Sequence, residues 1–342
     1  MKRGSSRADE RRHFVTETAL ALGLVAGLPV GVAEATERPA AEQRLEPMFE
    51  GRTGQWLADA HLEVFVQAEP FPRVMALRRP GGENLLLSVN PKFKYDGIRT
   101  WYMEPYQTKL APGPSEQPAE IEPLGENHVR LVARPDEKSG LQNVMEIRLD
   151  GEKPVLHLRH GVKNVSEETR RIASWSIAAI PGVGRILVPV MSDVPEIESF
   201  TYFFYTNPQQ PIYRRVNNAL EVSLEESLQF GAKTSKIGVE NRLGTALWDR
   251  PGVLLKSHAG YEADGNYPEG GANMTFYYGR QNDAAYGEIE HVGPLKDVPP
   301  GHTLWLEQSI TLQEPADLPD DPREALLQAL PAYAEAVAPK KK

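Results

Sequence analysis

Gly252-Val-Leu-Leu-Lys256-Ser-His258, Tyr267-Pro-Glu-Gly-Gly-Ala-Asn273, Tyr286-Gly-Glu288-Ile-Glu290-His-Val-Gly-Pro294-Leu and Pro300-Gly301-His-Thr-Leu-Trp305, which continues alternating to Leu312, form the stretch that decides the fold. Short apolar runs punctuated by Pro and Gly are the texture of strands joined by turns. Glu288 and Glu290 are two residues apart. On a strand both point to one face with Val292, while Ile289 points to the other. Neighbouring carboxylates push each other's pKa values apart, which suits one to be an acid and the other a base. The bland alternative is a solvated strand face with two acids on it.

The same period runs outward from this stretch. Leu62, Val64 and Val66 alternate with Glu63, Phe65 and Gln67, and Val74–Leu77 and Asn84–Val89 read as further strands separated by the turn signal Arg79-Pro-Gly-Gly-Glu83. Met145, Ile147 and Leu149 alternate with Glu146 and Arg148, and Leu156, Leu158, His160 and Val162 with His157, Arg159 and Lys163. Residues 172–180 and 185–190 continue the pattern, and 200–250 reads as short strands broken by Asn, Pro and Gly. Residues 90–125 carry many prolines together with Phe93, Tyr95, Trp101, Tyr102 and Tyr106, which reads as an ordered, functional loop. Only Asp321–Val337 has helical spacing, with Pro322 at its start. The reading is an all-β chain: a large antiparallel β-sandwich with a short C-terminal helix. Its segments are 1–35 (leader), 36–59 (linker and entry), 60–313 (sandwich) and 314–342 (helical, charged tail).

The order of these blocks resembles the galactose mutarotase-like (aldose-1-epimerase-like) superfamily, in a bacterial branch where Tyr-Pro-x-Gly-Gly and Glu-x-Glu-x-x-Gly-Pro recur. Gly81-Gly-Glu-Asn-Leu-Leu86, His160-Gly-Val-Lys-Asn164, Ser174-Trp175-Ser-Ile and Val188-Pro189-Val are similar to the same branch. The resemblance covers roughly residues 60–312. It implies a supersandwich with a ligand groove on one concave face, and a carboxylate on a late strand as catalytic base, here Glu290, with Glu288 beside it. Sugar mutarotases also use a pair of histidines, helped by an Asp and an Arg. Here no His lies between His61 and His128, and Trp175 stands where the second His is expected.

Three functions follow from the resemblance and its departures. The first is a carbohydrate-binding protein that has lost the histidine pair. The second is an epimerase or mutarotase with Glu290 as general base, and the third a structural envelope protein. Anomer exchange needs a base near the C1 hydroxyl and an acid near the ring oxygen. His258, near a strand end and close in sequence to Asp264, is the acid candidate. His160 shares a face with Leu156, Leu158 and Val162, the pattern of a core histidine. Trp101, Tyr102, Tyr106 and Trp175 are candidate platforms for the apolar faces of a pyranose, against the ordinary role of aromatics as core filling. Arg99, Lys109 and Lys256 are candidate partners for sugar hydroxyls or a carboxylate, and the resemblance favours Lys109. Trp101, Tyr102, Lys109, Trp175, His258 and Glu290 are expected to converge on one pocket. No metal-ligand spacing and no phosphate-binding glycine loop is present, so neither metal nor cofactor is expected.

The chain has 342 residues, no cysteine and a net charge of −9. Lys2, Arg3, Arg7, Arg11 and Arg12 precede a mildly apolar run over 18–32, and Ala33-Glu34-Ala35 fits a small-x-small cleavage site. Arg11-Arg12-His13-Phe14-Val15 resembles a twin-arginine motif, so the expectation is a periplasmic or secreted protein. Removing the leader's five basic and four acidic residues takes the net charge to −10. An acidic protein of this kind repels nucleic acid and anionic lipid. No apolar run is long enough to be a stable membrane span. The expected partner is a small sugar or oligosaccharide.

Overall fold

The computed structural model describes residues 52–89, 94–105, 113–190, 200–202, 212–225, 234–281 and 284–338. These form two antiparallel sheets packed face to face. The first runs β1 (Thr53–Ala58), β2 (Glu63–Glu69), β3 (Arg73–Arg78), β4 (Ile98–Met103), β9 (Arg170–Pro181), β18 (Ala284–Val292), β17 (Met274–Gln281), β14 (Ser235–Val239) and β11 (Phe200–Tyr202), with β19 (Lys296–Val298) paired to the start of β9. The second runs β12 (Tyr213–Val216), β13 (Ala219–Ser223), β10 (Arg185–Pro189), β15 (Thr245–Arg250), β16 (Val253–Ala259), β20 (Thr303–Gln313), β8 (Val155–Asn164), β7 (Leu141–Leu149), β6 (His128–Ala133) and β5 (Ala119–Gly125). No described helix is long and apolar enough to cross a membrane.

Alternation decides what lies between the sheets. Val64 and Val66 of β2, Ile289 of β18, Ile147 of β7, Leu156 and Leu158 of β8 and Trp248 of β15 all turn inward and are fully or almost fully buried. Each such aliphatic side chain contributes about 1.5–3 kcal/mol by leaving water. Trp248 satisfies its indole N–H on the Val183 carbonyl at 2.8 Å.

Three sequence expectations change. Ala119–Gly125, read as the end of a Pro-rich loop, is a strand paired with β6. Ile98–Met103, read as part of a Pro-rich loop, is a strand bonded to β3 and β9. Its alternation splits Arg99, Trp101 and Met103 from Ile98, Thr100 and Tyr102, a pattern masked by the surrounding prolines. Asn84–Val89, read as a strand, is irregular. The Asn84 side chain takes the place of a ladder: its Oδ1 accepts from the Leu77 and Leu86 amides at 3.1 Å each and its Nδ2 donates to the Met75 carbonyl at 3.0 Å.

The C-terminal helical spacing resolves into two helices, Pro322–Ala329 and Pro331–Val337. Asp321 caps the first, accepting from the Arg323 and Glu324 amides at 2.9 and 3.0 Å. Ala325, Leu326, Leu330 and Tyr333 pack on Leu187, Leu247 and Leu254, on the outer face of the second sheet.

A polar chain crosses the apolar interior. Thr100 Oγ1 meets His160 Nδ1 at 2.8 Å, His160 Nε2 meets Gln308 Oε1 at 2.9 Å, and Ser176 Oγ donates to the same Oε1 at 2.7 Å. Gln308 Nε2 donates to Ser257 Oγ at 3.0 Å, and Ser257 Oγ meets His291 Nε2 at 2.8 Å. Burial lowers His160 to about 4 and His291 to about 3. Both stay neutral in the fold while the unfolded chain takes up protons below about 6.5. Stability is therefore lost as pH falls from about 6.5 toward 4, at up to about 1.4 kcal/mol per pH unit for each histidine. Urea unfolding at pH 7, 6 and 5 is expected to show this fall, and His160→Gln to remove about half of its slope. A pH-independent midpoint would contradict it.

Candidate functional site

β18 is central in its sheet and buried on both faces. Ile289 and His291 turn to the interior, so Glu288 and Glu290 must turn to the outer face. Across the register, Glu290 stands between Ile177 of β9 and Thr275 of β17, and Glu288 between Ala179 and Tyr277. One strand further, Arg99 pairs with Ile177 and Trp101 with Trp175, while Lys236 of β14 pairs with Tyr277. Five strands thus bring charged and aromatic side chains to one patch. Entry to β4 is set by Gly97: its φ is +66°, and a Cβ there would lie 2.4 Å from the Val74 carbonyl oxygen.

Glu290 Oε2 accepts from Trp175 Nε1 at 2.8 Å and Thr275 Oγ1 at 2.7 Å, and pairs with Lys236 Nζ at 3.1 Å. The same ammonium sits 4.5 Å above the Trp175 ring. Glu288 Oε1 accepts from Arg99 Nη2 at 2.6 Å, and Arg99 Nη1 donates to the Tyr95 carbonyl at 2.7 Å. The guanidinium stacks 5.1 Å from the Trp101 ring centre, and Trp101 meets Trp175 edge-on at 5.2 Å. Glu290 and Arg99 are 1% exposed, Lys236 4% and Glu288 6%. Burial raises the Glu288 carboxyl above the usual range; Arg99 opposes the rise and Glu290 adds to it.

Of the residues singled out from sequence, Glu288, Glu290, Trp101, Trp175 and Arg99 come together. Tyr102 does not. It follows Trp101 on β4, so it turns inward and packs with Leu141, Val162, Ile172 and Val298. Lys256 and His258 are also separated from the carboxylates. They alternate with the inward Ser257 on β16, so they stand on the outer face of the second sheet, across the sandwich. There His258 Nδ1 meets Thr245 Oγ1 at 3.0 Å, and partial burial lowers the imidazole pKa. His258 borders a groove of about 730 Å³ that also includes Arg159, Tyr261 and Trp305. Lys109 and Tyr106 lie outside the described residues, as does the leader. The six-residue convergence is therefore corrected: Glu290, Trp101 and Trp175 meet, and Tyr102 and His258 do not join them.

Sequence reasoning missed Lys236 and Thr275. The available signal was Lys236 itself, a lone charge alternating with Ile237 inside Ser235-Lys-Ile-Gly-Val239. A lysine buried mid-strand requires a carboxylate from a neighbour.

Comparison of the sandwich with solved structures gives many matches. A galactose mutarotase-like protein from Lactobacillus casei superposes with a TM-score of 0.53 at 10% identity, covering 76% of this chain and 100% of that one. The chain has the galactose mutarotase-like fold. A galactose mutarotase related enzyme from Lactobacillus acidophilus matches with a TM-score of 0.50 at 11% identity, over 78% of this chain and 99% of that one. A TPR-domain containing protein from Parabacteroides distasonis matches with a TM-score of 0.53 at 15% identity, over 78% of this chain and 48% of that one. At these identities the likeness is one of fold. No protein-family model and no curated protein matches the chain. Within the mutarotase-like sandwich, the outer face carrying Glu288 and Glu290 is the candidate site.

Arg99→Met tests its electrostatics. Leaving Glu288 buried without its cation is expected to cost about 3–5 kcal/mol at pH 8. The cost should shrink by pH 5, because protonation of Glu288 removes the unpaired charge. Urea unfolding of both proteins at the two pH values reads the difference; an equal cost at both would show that the pair does not carry it.

Proposed function

We propose that this chain is an exported carbohydrate-binding protein that seats a small sugar or oligosaccharide on the outer face of the first sheet. The observation that carries the reading is the direct bond from the Trp175 indole to the Glu290 carboxylate, beside the Arg99–Glu288 pair. Carboxylates and guanidinium groups hydrogen-bond hydroxyls, and indole faces pack on the C–H faces of a pyranose. Tyr95, 38% exposed and 6.1 Å from Trp101, extends the aromatic surface to solvent. The mutarotase-like fold of the neighbours supports the ligand class, and the basic, apolar leader supports export to the periplasm or beyond. Binding without turnover is favoured because the described partners of Glu288 and Glu290 are Arg, Lys, Trp and Thr, with no histidine among them.

A second reading, anomer exchange, is favoured by one observation: burial raises Glu288 next to Glu290. Glu288 would hold a proton for the ring oxygen while Glu290 takes one from the C1 hydroxyl; the C1–ring oxygen bond then opens, C1 rotates, and the ring closes on its other face. Calorimetry and proton NMR exchange on a panel of aldoses separate the two. The binding reading expects heat of binding and no exchange above the buffer rate. The catalytic reading expects exchange that Glu290→Gln abolishes while binding persists, since the amide keeps the shape and loses the base. A panel in which no sugar binds defeats both and leaves a structural role in the envelope.

A further inference from the structure

On the outer face of the second sheet, the register brings six polar side chains into one row. His128 of β6 stands opposite Arg148 of β7, Arg148 opposite His157 of β8, His157 opposite Ser309 of β20, Ser309 opposite His258 of β16, and His258 opposite Thr245 of β15. The row crosses the strands, so no single stretch of sequence displays it. At a strand spacing of about 4.8 Å, His128 and His258 lie about 19 Å apart. The neighbouring row, two residues along each strand, is Arg130, Glu146, Arg159 and Glu307, and it closes on itself. Glu146 accepts from Arg130 Nη2 and Arg159 Nη1 at 2.7 Å each, and Arg159 Nε stands 3.4 Å from Glu307 Oε1. In the first row, by contrast, the exposed Arg148 and the half-buried His128 have no hydrogen-bond partner among the described residues.

Both rows lie along the groove of about 730 Å³ that His258 borders. Tyr261, from the segment after β16, lines it too. Its ring stacks on Tyr267 with the planes 4° apart, and its hydroxyl donates to Glu240 Oε1 at 2.8 Å. One face of the half-buried ring is thus held from behind, which leaves the other for a ligand. Charge decides the kind of ligand. The ionic side chains that line the groove are Arg148, Arg159 and Lys296 against Glu146, Glu262 and Glu307, three of each sign. A polyanion or a polycation would meet as much repulsion here as attraction. A neutral imidazole and a hydroxyl each donate and accept, and so does the hydroxyl of a sugar. Burial lowers the His258 imidazole, which favours that neutral form. The spacing fits as well: in an extended glycan each pyranose advances by about one strand spacing, so successive sugars meet successive side chains of the row.

We propose that this groove is a second binding site, which holds an extended chain of neutral sugars laid across the strands, with its hydroxyls on the row from His128 to His258 and one ring on Tyr261. It goes beyond the reading above. That site seats a small sugar on the first sheet; this one grips a polymer on the opposite sheet, and neither needs the other in order to bind. Held on a glycan by its second sheet, the protein would keep its first-sheet site at a high local concentration of sugar ends.

The test is calorimetric titration of the full chain. The probes are the malto-, cello- and manno-oligosaccharides from the disaccharide to the hexasaccharide, single aldoses, and polygalacturonate. At least one neutral series is expected to tighten about tenfold between two and five residues, the scale of one or two hydrogen bonds, and to gain little from the sixth. That affinity should hold from about 0.05 to 0.5 M salt, because no net charge is being matched. The double variant Arg148→Ala, His157→Ala is expected to lose the gain with length while binding of single aldoses stays as in the wild type. Tyr261→Ala should weaken the pentasaccharide by a similar factor. If one variant does not fold, the other decides together with the wild-type length series. Affinity independent of length in every series overturns the proposal, as does a pentasaccharide that binds the double variant as tightly as the wild type. Preferred binding of polygalacturonate that salt releases overturns it too, and marks the row as a site for anions. None of these results touches the carbohydrate reading of the first sheet. Oligosaccharide binding that grows with length while single aldoses do not bind would defeat that reading and support this one.

Discussion

Glu290, almost wholly removed from water, meets Lys236, Trp175 and Thr275 at 3.1, 2.8 and 2.7 Å. These partners come from β14, β9 and β17, so one carboxylate ties its own strand to three others. Stripping water from a carboxylate and an ammonium costs several kcal/mol each, and only well-placed partners offset it. The register of the first sheet follows. A slip of one residue in β18 would put Ile289 and His291 outside and drive Glu288 and Glu290 into the apolar interior. Few arrangements of these strands leave no such charge stranded, which makes the cluster a source of specificity for the fold as well as a candidate site.

The interior repeats the device with neutral groups. His160, Gln308, Ser257 and His291 run from β8 through β20 and β16 to β18, joining the two sheets by hydrogen bonds that must close completely because no water reaches them. β18 therefore carries polar anchors on both faces: carboxylates outward to its own sheet, an imidazole inward to the opposite one. The two layers respond to pH in opposite senses. Acid strains the histidines, which burial keeps neutral, and relieves Glu288, whose buried charge it removes.

Much of this was legible in the sequence, and the failures share a cause. Period-two alternation identifies strands and the faces of one strand relative to each other, so Glu288 and Glu290 were placed on a common face. It does not tell which sheet a strand joins. Glu290 and His258 both point away from the core, but from opposite sheets, and nothing within Val253–Ala259 distinguishes that sheet from the other. β4 was hidden differently. Pro91 and Pro105 bracket it and turn signals crowd it, so the sequence presents Trp101 and Tyr102 as paired loop aromatics, although neighbours on a strand face apart. Lys236 lay in a segment of short strands where a single lysine reads as solvent-exposed until its carboxylate is known.

The fold by itself does not choose a function, since one sandwich can carry many sites. On the first sheet the chain adds a carboxylate pair held by an arginine, a lysine, a threonine and an indole. Three donors meet on one oxygen, Glu290 Oε2, so the side chain that fixes the register of four strands is also the one the carbohydrate reading sets against a ligand. A change at Glu290 therefore acts on fold and site together, and the isosteric amide is the substitution that disturbs the first least.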